Sequence, residues 1–367
     1  MPGLYVHVPF CMSKCPYCDF FSVPTPSLIP EWLKAVDREA SLYNGRFSRF
    51  DSLYLGGGTP SLLGEQELST LMEGLFHRFR FSTDSELTIE CNPDDITDPM
   101  AALFRDLGFN RVSLGVQSFD DRELRFLGRR HDSLQAERAF DHFRRFGFDN
   151  VGIDLMYGLP GQAESNWLKT LGRAMALEPD HLSCYQLTIA DHTPFGRLRD
   201  EGRLTPMGEE TERAFFLLTA EYLTAQGYIH YEISNFAKGK ECMCRHNWKY
   251  WRRTPYLGLG PSAHSFTQGE RWWNPKSLSD YCERLIEGLR PAEESERLSP
   301  DQEYLEWLSL GFRTKEGLDS ARLLEHPRAD KTLKELRDSG LVICENERVI
   351  PTLKGFLVAD SLPLLFC

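Results

Sequence analysis

Three cysteines fall within eight positions in FCMSKCPYCDF, residues 10–20, with the spacing C-x3-C-x2-C: Cys11, Cys15 and Cys18. Thiols this close can form a disulfide clip, bind zinc or carry an iron–sulfur cluster. A structural zinc site needs four ligands, usually from two paired knuckles, and no second knuckle lies nearby in the sequence. Three thiolates suit three irons of a [4Fe–4S] cube and leave the fourth iron open, as a reactive cluster requires. Coincidental cysteines, or a zinc loop completed by a distant ligand, stay open as alternatives. A second stretch with chemistry in it is HNWKYW, residues 246–251, preceded by Cys242 and Cys244. Those two cysteines and His246 make a C-x-C-x-H run, a minor metal reading for want of a fourth ligand.

Elements must hold these residues in place. Six short apolar runs recur before residue 236: LYVHV (4–8), SLYLG (52–56), ELTIE (86–90), RVSLGV (111–116), VGIDLMYG (151–158) and HLSCYQL (181–187). Each is rich in Val, Ile, Leu or Tyr and closed by Gly, Pro or polar residues, the pattern of buried strands. Amphipathic stretches separate them; Leu68, Leu71, Met72, Leu75, Phe76 and Phe79 follow helical spacing. Six strand–helix repeats imply a parallel sheet, doubly wound or curled into a barrel. The placement of the unusual residues favours the barrel. The cysteines follow the first run, GGGTP the second, ECNP ends the third, GVQSF the fourth, and YGLPG closes the fifth. In a parallel α/β barrel the C-terminal strand ends converge on one mouth, where active sites lie.

Past residue 236 the pattern changes. KGKECMCRHNWKYWRRTPYLGLGPSAHSF is aromatic, glycine-rich and basic, and reads as irregular structure over 236–290. From 291 the polar stretch PAEESERLSP leads into three short helical patterns and two strand-like runs around ENE, a winged-helix outline over 291–367. The first unit is then 1–235, the barrel.

The bulk composition narrows the class. The chain has 367 residues, 41% hydrophobic and 26% charged, with a net charge of −12. That is an ordinary globular composition, and its acidity argues against a nucleic-acid partner, which needs a positive face. No apolar run approaches the ~20 residues that span a bilayer. The start, MPGLYVHVPFC, has no basic n-region and no cleavage site, so the expected location is the cytoplasm, where thiols stay reduced. Cys91, Cys184, Cys282, Cys344 and Cys367 sit in apolar surroundings and read as small core or surface residues.

C-x3-C-x2-C with an aromatic, Tyr17, before the third cysteine resembles the signature of the radical S-adenosylmethionine (SAM) family. The resemblance implies a partial TIM-like (β/α)6 radical SAM barrel in which Cys11, Cys15 and Cys18 hold a [4Fe–4S] cluster that binds SAM. It further implies SAM contacts at Tyr5, Tyr17, Gly57, Gly58, Thr59, Glu90, Gln117, Arg129 and Asp154. Each has a plainer reading by itself: Glu90 or Asp154 as a helix cap, Arg129 as a solvated charge.

LYVHVPFC, YLGGGTPSLL, GVQSF and DLMYGLPGQ are similar to the oxygen-independent coproporphyrinogen III oxidase group, which also holds a heme-chaperone branch. The group's dehydrogenase carries a fourth cysteine two positions past the third, where Phe20 stands here, and a long extension where only ten residues precede Cys11. HNWKYW matches the HNxxYW motif of the chaperone branch. The resemblance implies heme as a third cofactor, held at His246, Asn247, Tyr250 and Trp251. Chemically, His246 offers an axial nitrogen, the aromatics offer faces, and Lys249, Arg252 and Arg253 can neutralise propionates. A histidine among aromatics is also the usual composition of packed core. A heme chaperone delivering to an acceptor protein is the function this implies, with an electron donor of the flavodoxin or ferredoxin type. Radical decarboxylation of coproporphyrinogen III, or another radical modification of a tetrapyrrole, is the alternative.

Overall fold

The computed structural model describes residues 1–327 and 329–366; Cys367 lies outside them. The six expected strands are present as β1 (Gly3–Val8), β2 (Phe50–Gly57), β3 (Phe81–Cys91), β4 (Arg111–Gln117), β5 (Val151–Tyr157) and β6 (His181–Gln186), paired in parallel in that order. Leu4, Val6, Val8, Val112, Leu114, Val151, Ile153 and Leu155 are fully buried, as strands covered on both faces require. Helices follow each strand: α1 (Ile29–Leu42), α2 (Glu65–Arg78), α3 (Asp98–Asp106), α4 (Asp121–Phe126), α5 (Ser133–Arg145), α6 (Glu164–Ala176), α7 (Pro194–Asp200) and α8 (Glu209–Ala225). Local chemistry sets their starts. Asp132 caps α5 by accepting from the Gln135 amide at 2.8 Å, and the Gln135 side chain accepts from the Asp132 amide at 2.9 Å.

The sheet does not end with β6. Strands β7 (Ile229–Glu232) and β8 (Asn235–Ala237) add antiparallel beyond it. After α9 (Arg245–Trp251), β9 (Tyr256–Leu259) pairs parallel to β1, on its other side from β2. Beyond β9 come β10 (His264–Thr267), β11 (Glu270–Trp273) and, after α10 (Leu278–Ile286), β12 (Glu294–Arg297). One twelve-stranded sheet results, open at β7 and β12. The expectation of irregular structure over 236–290 is therefore corrected. Its strands are only four residues long, too short for an alternating pattern to register. The β10–β11 hairpin turns on Gln268 and Gly269, whose φ values of 48° and 75° make the tight turn that matches strand twist.

The tail forms α11 (Pro300–Gly311), β13 (Leu318–Asp319), α12 (Ser320–Leu324), α13 (Ala329–Asp338), β14 (Val342–Glu345), β15 (Arg348–Pro351) and α14 (Leu353–Phe356). Its three-stranded sheet and the buried cluster of Leu308, Phe312, Leu318, Leu323, Leu336 and Val349 give the expected helices-then-hairpin outline. Cys91, Cys184 and Cys282 are buried and Cys344 is exposed.

A buried acid ties the added strands to the barrel. Glu39 of α1 accepts from the Tyr281 hydroxyl (2.6 Å), the Gly260 amide (2.8 Å) and the Asn274 side-chain amide (2.7 Å). Burial pushes its pKa up to about 7, although these donors pull it down. The folded chain thus holds this proton more tightly than the unfolded one, whose value is near 4.5. Its contribution to stability is greatest below about pH 4.5 and falls as pH rises through about 7. Glu39→Gln removes the titration, so urea midpoints of the variant are expected to change less than the parent's between pH 5 and pH 7.5. An identical pH dependence would contradict this.

Candidate functional site

The loop after β1 and the strands β2–β6 surround a cavity of about 450 Å3. Of the predicted residues, Tyr17, Cys18, Gly57, Gly58, Thr59, Glu90, Gln117, Arg129, Asp154 and Asn247 line it. Cys11 and Cys15 reach its wall through a hydrogen-bonded chain. Asn92 donates from Nδ2 to Thr59 Oγ1 (3.3 Å), which leaves the Thr59 hydroxyl to donate to Cys11 Sγ, also 3.3 Å away. Arg129 donates from Nη2 to Asn92 Oδ1 (2.6 Å) and the Gly115 carbonyl (2.7 Å), and from Nη1 to Cys15 Sγ (3.6 Å). One path of side chains thus connects two of the three sulfurs. The third joins through the backbone, where the Cys18 amide donates to the Cys15 carbonyl at 3.1 Å.

The glycine loop owes its composition to packing against the cysteine loop. A Cβ on Gly58 would sit 2.6 Å from the Phe10 carbonyl oxygen and 2.8 Å from that of Val8. Gly57 has φ of 105°, and a Cβ there would meet the His7 ring at 2.5 Å. Bare backbone therefore lets the loop lie against the strand that leads into Cys11.

Two acids line the cavity. Glu90 accepts from the Tyr54 hydroxyl (2.7 Å) and the Gly57 amide (3.1 Å); burial, with Asp154 nearby, pushes its pKa up to about 7. Asp154 accepts from the Ser113 hydroxyl at 2.9 and 3.0 Å, and burial raises its pKa too. Buried carboxylates with few donors suit a ligand that brings hydroxyls or an ammonium. Gln117 holds a left-handed backbone (φ 69°) at the end of β4, where the pairing with β5 shifts register. Such strain in a non-glycine residue clusters at functional sites. Arg129 Nε is buried with no hydrogen-bond partner among the described residues, a donor left over in the cavity wall.

Among the described residues no three His, Cys, Asp or Glu groups converge as one metal ion requires, so the Cys242–Cys244–His246 knuckle does not form. Cubane ligands do not converge, because each thiolate binds its own iron. The residues present fit a [4Fe–4S] cluster with SAM beside it.

Four predicted residues lie elsewhere. Tyr5 stacks on Tyr54, with ring centroids 6.2 Å apart, and its hydroxyl meets His7 Nδ1 at 3.1 Å, facing a second cavity on the β9 side. Tyr250 lines that second cavity as well, and Trp251 lines neither. His246 lines neither cavity. It is 1% exposed, its Nδ1 lies 2.9 Å from Ser52 Oγ, and its Nε2 lies 2.9 Å from Tyr250 Oη. Burial draws its pKa down to about 3. The basic residues expected to meet propionates are also engaged: Lys249 with Asp51 (2.5 Å), Arg252 with Glu316 (2.7 Å) and Arg253 with Glu306 (2.7 Å). Sequence reasoning missed Asn92, the link between Thr59 and Arg129. Its signal was available in ECNP, a polar residue just past the end of a buried strand.

Residues 5–174 match the Radical SAM superfamily. The heme chaperone HemW of Mycobacterium tuberculosis is 34% identical over 98% of this chain and 93% of its own length. The chain belongs to the HemW family of radical SAM proteins. HemW of Bacillus subtilis is 32% identical over 98% of both chains. Among solved structures, the Escherichia coli coproporphyrinogen III oxidase HemN, described as a radical SAM enzyme, matches with a TM-score of 0.86 at 26% identity, covering 100% of this chain and 90% of that one. The HemW likeness runs through α9, the added strands and the tail, well past the radical SAM match. No helix among the described residues is long and apolar enough to cross a membrane.

Proposed function

We propose that this protein is a heme chaperone, which binds heme and passes it to an acceptor protein while carrying a [4Fe–4S] cluster and SAM at the mouth of its barrel. The observation that carries the reading is the match to HemW along almost the whole of both chains. Cys11, Cys15 and Cys18 hold the cluster, and Tyr17, Gly57, Gly58, Thr59, Glu90, Gln117, Arg129 and Asp154 form the SAM pocket. A cluster held by three thiolates supplies an iron with an open position that chelates SAM and can deliver an electron to it. The protein's own groups do the rest. Arg129 offsets the negative charge that collects on the Cys15 sulfur, and Thr59 does the same by hydrogen bond at Cys11. Glu90 offers two oxygens to ribose hydroxyls, with Tyr54 and the Gly57 amide fixing their direction. Asp154, braced by Ser113, orients a donor. Phe20, 68% exposed, stands where the decarboxylase of the group would place another thiol. The acceptor and an electron donor of the flavodoxin or ferredoxin type meet the chain in the cytoplasm.

The likeness to HemN favours a second reading, oxidative decarboxylation of coproporphyrinogen III. Anaerobic reconstitution followed by parallel assays separates the two. The chaperone reading expects a saturable, stoichiometric Soret change on titration with heme, and no protoporphyrinogen from coproporphyrinogen III under reducing conditions with SAM. No Soret change would overturn it, and porphyrinogen turnover would establish the enzyme instead.

A further inference from the structure

The second cavity, about 420 Å3, opens between β1 and the β9–β10 turn and has aromatic walls formed by Tyr250, Tyr256 and Phe21. That volume falls within the ~300–1,000 Å3 of small-molecule sites. Into it faces His264, the first residue of β10, which is exposed and makes no side-chain hydrogen bond among the described residues. Its ring stacks on Trp273, its register partner on β11, with centroids 5.7 Å apart and planes at 25°. Stacking of this kind fixes the direction of the imidazole and leaves its nitrogens unused.

The other histidines are otherwise placed. His7 is held between Tyr5 Oη and the Phe21 carbonyl, and His246 between Ser52 and Tyr250. His131 and His230 meet backbone carbonyls, and His181 meets the Tyr231 hydroxyl. His142 and His192 pair with Asp98 and Asp19, and His326 stacks on Tyr304. His77 lies on α2, by a different cavity that has no aromatic wall. Partial burial of the ring, with Arg271 and Lys276 nearby, draws the His264 pKa down and keeps its lone pair available to a metal. Lys276 lines the same cavity, exposed and with no ion pair among the described residues, in contrast to Lys249, Arg252 and Arg253. An aromatic slot, a free imidazole and a free ammonium together describe a site for a flat iron porphyrin that carries carboxylates.

We propose that heme occupies this second cavity, with His264 as its axial ligand and Lys276 facing a propionate. The assignment rests on the heme-chaperone reading. It replaces His246 as the ligand and makes Tyr250 a wall of the slot. Asp19 and Phe20 line both cavities, so the disc would lie one side chain away from the cluster loop.

The test uses the full chain, reconstituted anaerobically and titrated with hemin and, separately, with metal-free protoporphyrin IX. Changes around a metal's ligands typically weaken its binding by about 10–100-fold. His264→Ala is therefore expected to weaken hemin binding at least about tenfold and to shift the Soret maximum, with protoporphyrin affinity unchanged. Hemin affinity and Soret position equal to the parent's would overturn the assignment while leaving the chaperone reading intact. An equal loss for the metal-free ring would also overturn ligation, because no iron is present to bind. A parent chain that binds no hemin removes the chaperone reading, and this assignment with it.

Discussion

Replacing His246 with alanine is expected to destabilise the heme-free chain by about 3–5 kcal/mol, the range for removing a large buried ring. The ring is 1% exposed and sits among Tyr5, Tyr54 and Tyr250, with centroids 5.2–6.3 Å away. Deleting it opens a cavity beneath β1 and β2 and strands the Ser52 and Tyr250 hydroxyls, each a further penalty of about 1–3 kcal/mol if no water replaces the partner. The backbone of α9 stays anchored, because the Arg245 and His246 amides donate to Glu86 at 2.9 Å each. Urea unfolding of the chain without heme measures the loss directly. His264→Ala, at an exposed position, is expected to stay within about 0.5 kcal/mol of the parent. The two histidines thus have opposite expected profiles: His246 moves stability in the absence of heme, and His264 moves heme binding with stability kept. An alanine at 246 that leaves the unfolding midpoint unchanged would sink the structural role.

Why one motif reads as a ligand site and packs as a bolt has a physical explanation. HNWKYW is rich in the groups heme needs, and a linear reading has no access to their partners. Lys249 finds Asp51, Arg252 finds Glu316 and Arg253 finds Glu306, each far away in the chain. The six parallel strands were legible because each is a continuous apolar run closed by glycine, proline or a polar residue. Their loaded ends were legible for a related reason, since parallel topology gathers C-terminal ends whatever the details of packing. Tyr5 shows the limit of that logic. It lies on the correct strand, and the insertion of β9 beside β1 gives its ring a second face to serve. Glu39 was invisible altogether. A glutamate in an amphipathic helix reads as a solvated charge, and only α10 and the Gly260 turn, more than two hundred residues later, turn it into a buried acceptor of three hydrogen bonds.

Replacing Cys15 with alanine is expected to abolish cluster retention, with iron and sulfide per chain falling to background and the visible charge-transfer absorbance lost. Three thiolates are the minimum that leaves a single open iron, so removing one exposes a second iron to solvent and exchange. SAM binding should disappear with it in calorimetric titration, because the pocket then lacks the metal that chelates the amino-acid end. The fold should not change. Cys15 is half-buried, and Arg129, which donates to its sulfur, keeps Asn92 and the Gly115 carbonyl. Asn92→Ala probes the same path one shell further out. It frees Thr59 and leaves the Arg129 guanidinium with the Gly115 carbonyl and the sulfur, so cluster affinity is expected to fall by about 10–100-fold, with the cysteines intact. A graded loss in Asn92→Ala beside a complete one in Cys15→Ala places both residues on one ligand network. Retention of a stoichiometric zinc ion, and no iron, by the anaerobically reconstituted parent chain would instead return Cys11, Cys15 and Cys18 to the zinc reading that their spacing alone leaves open.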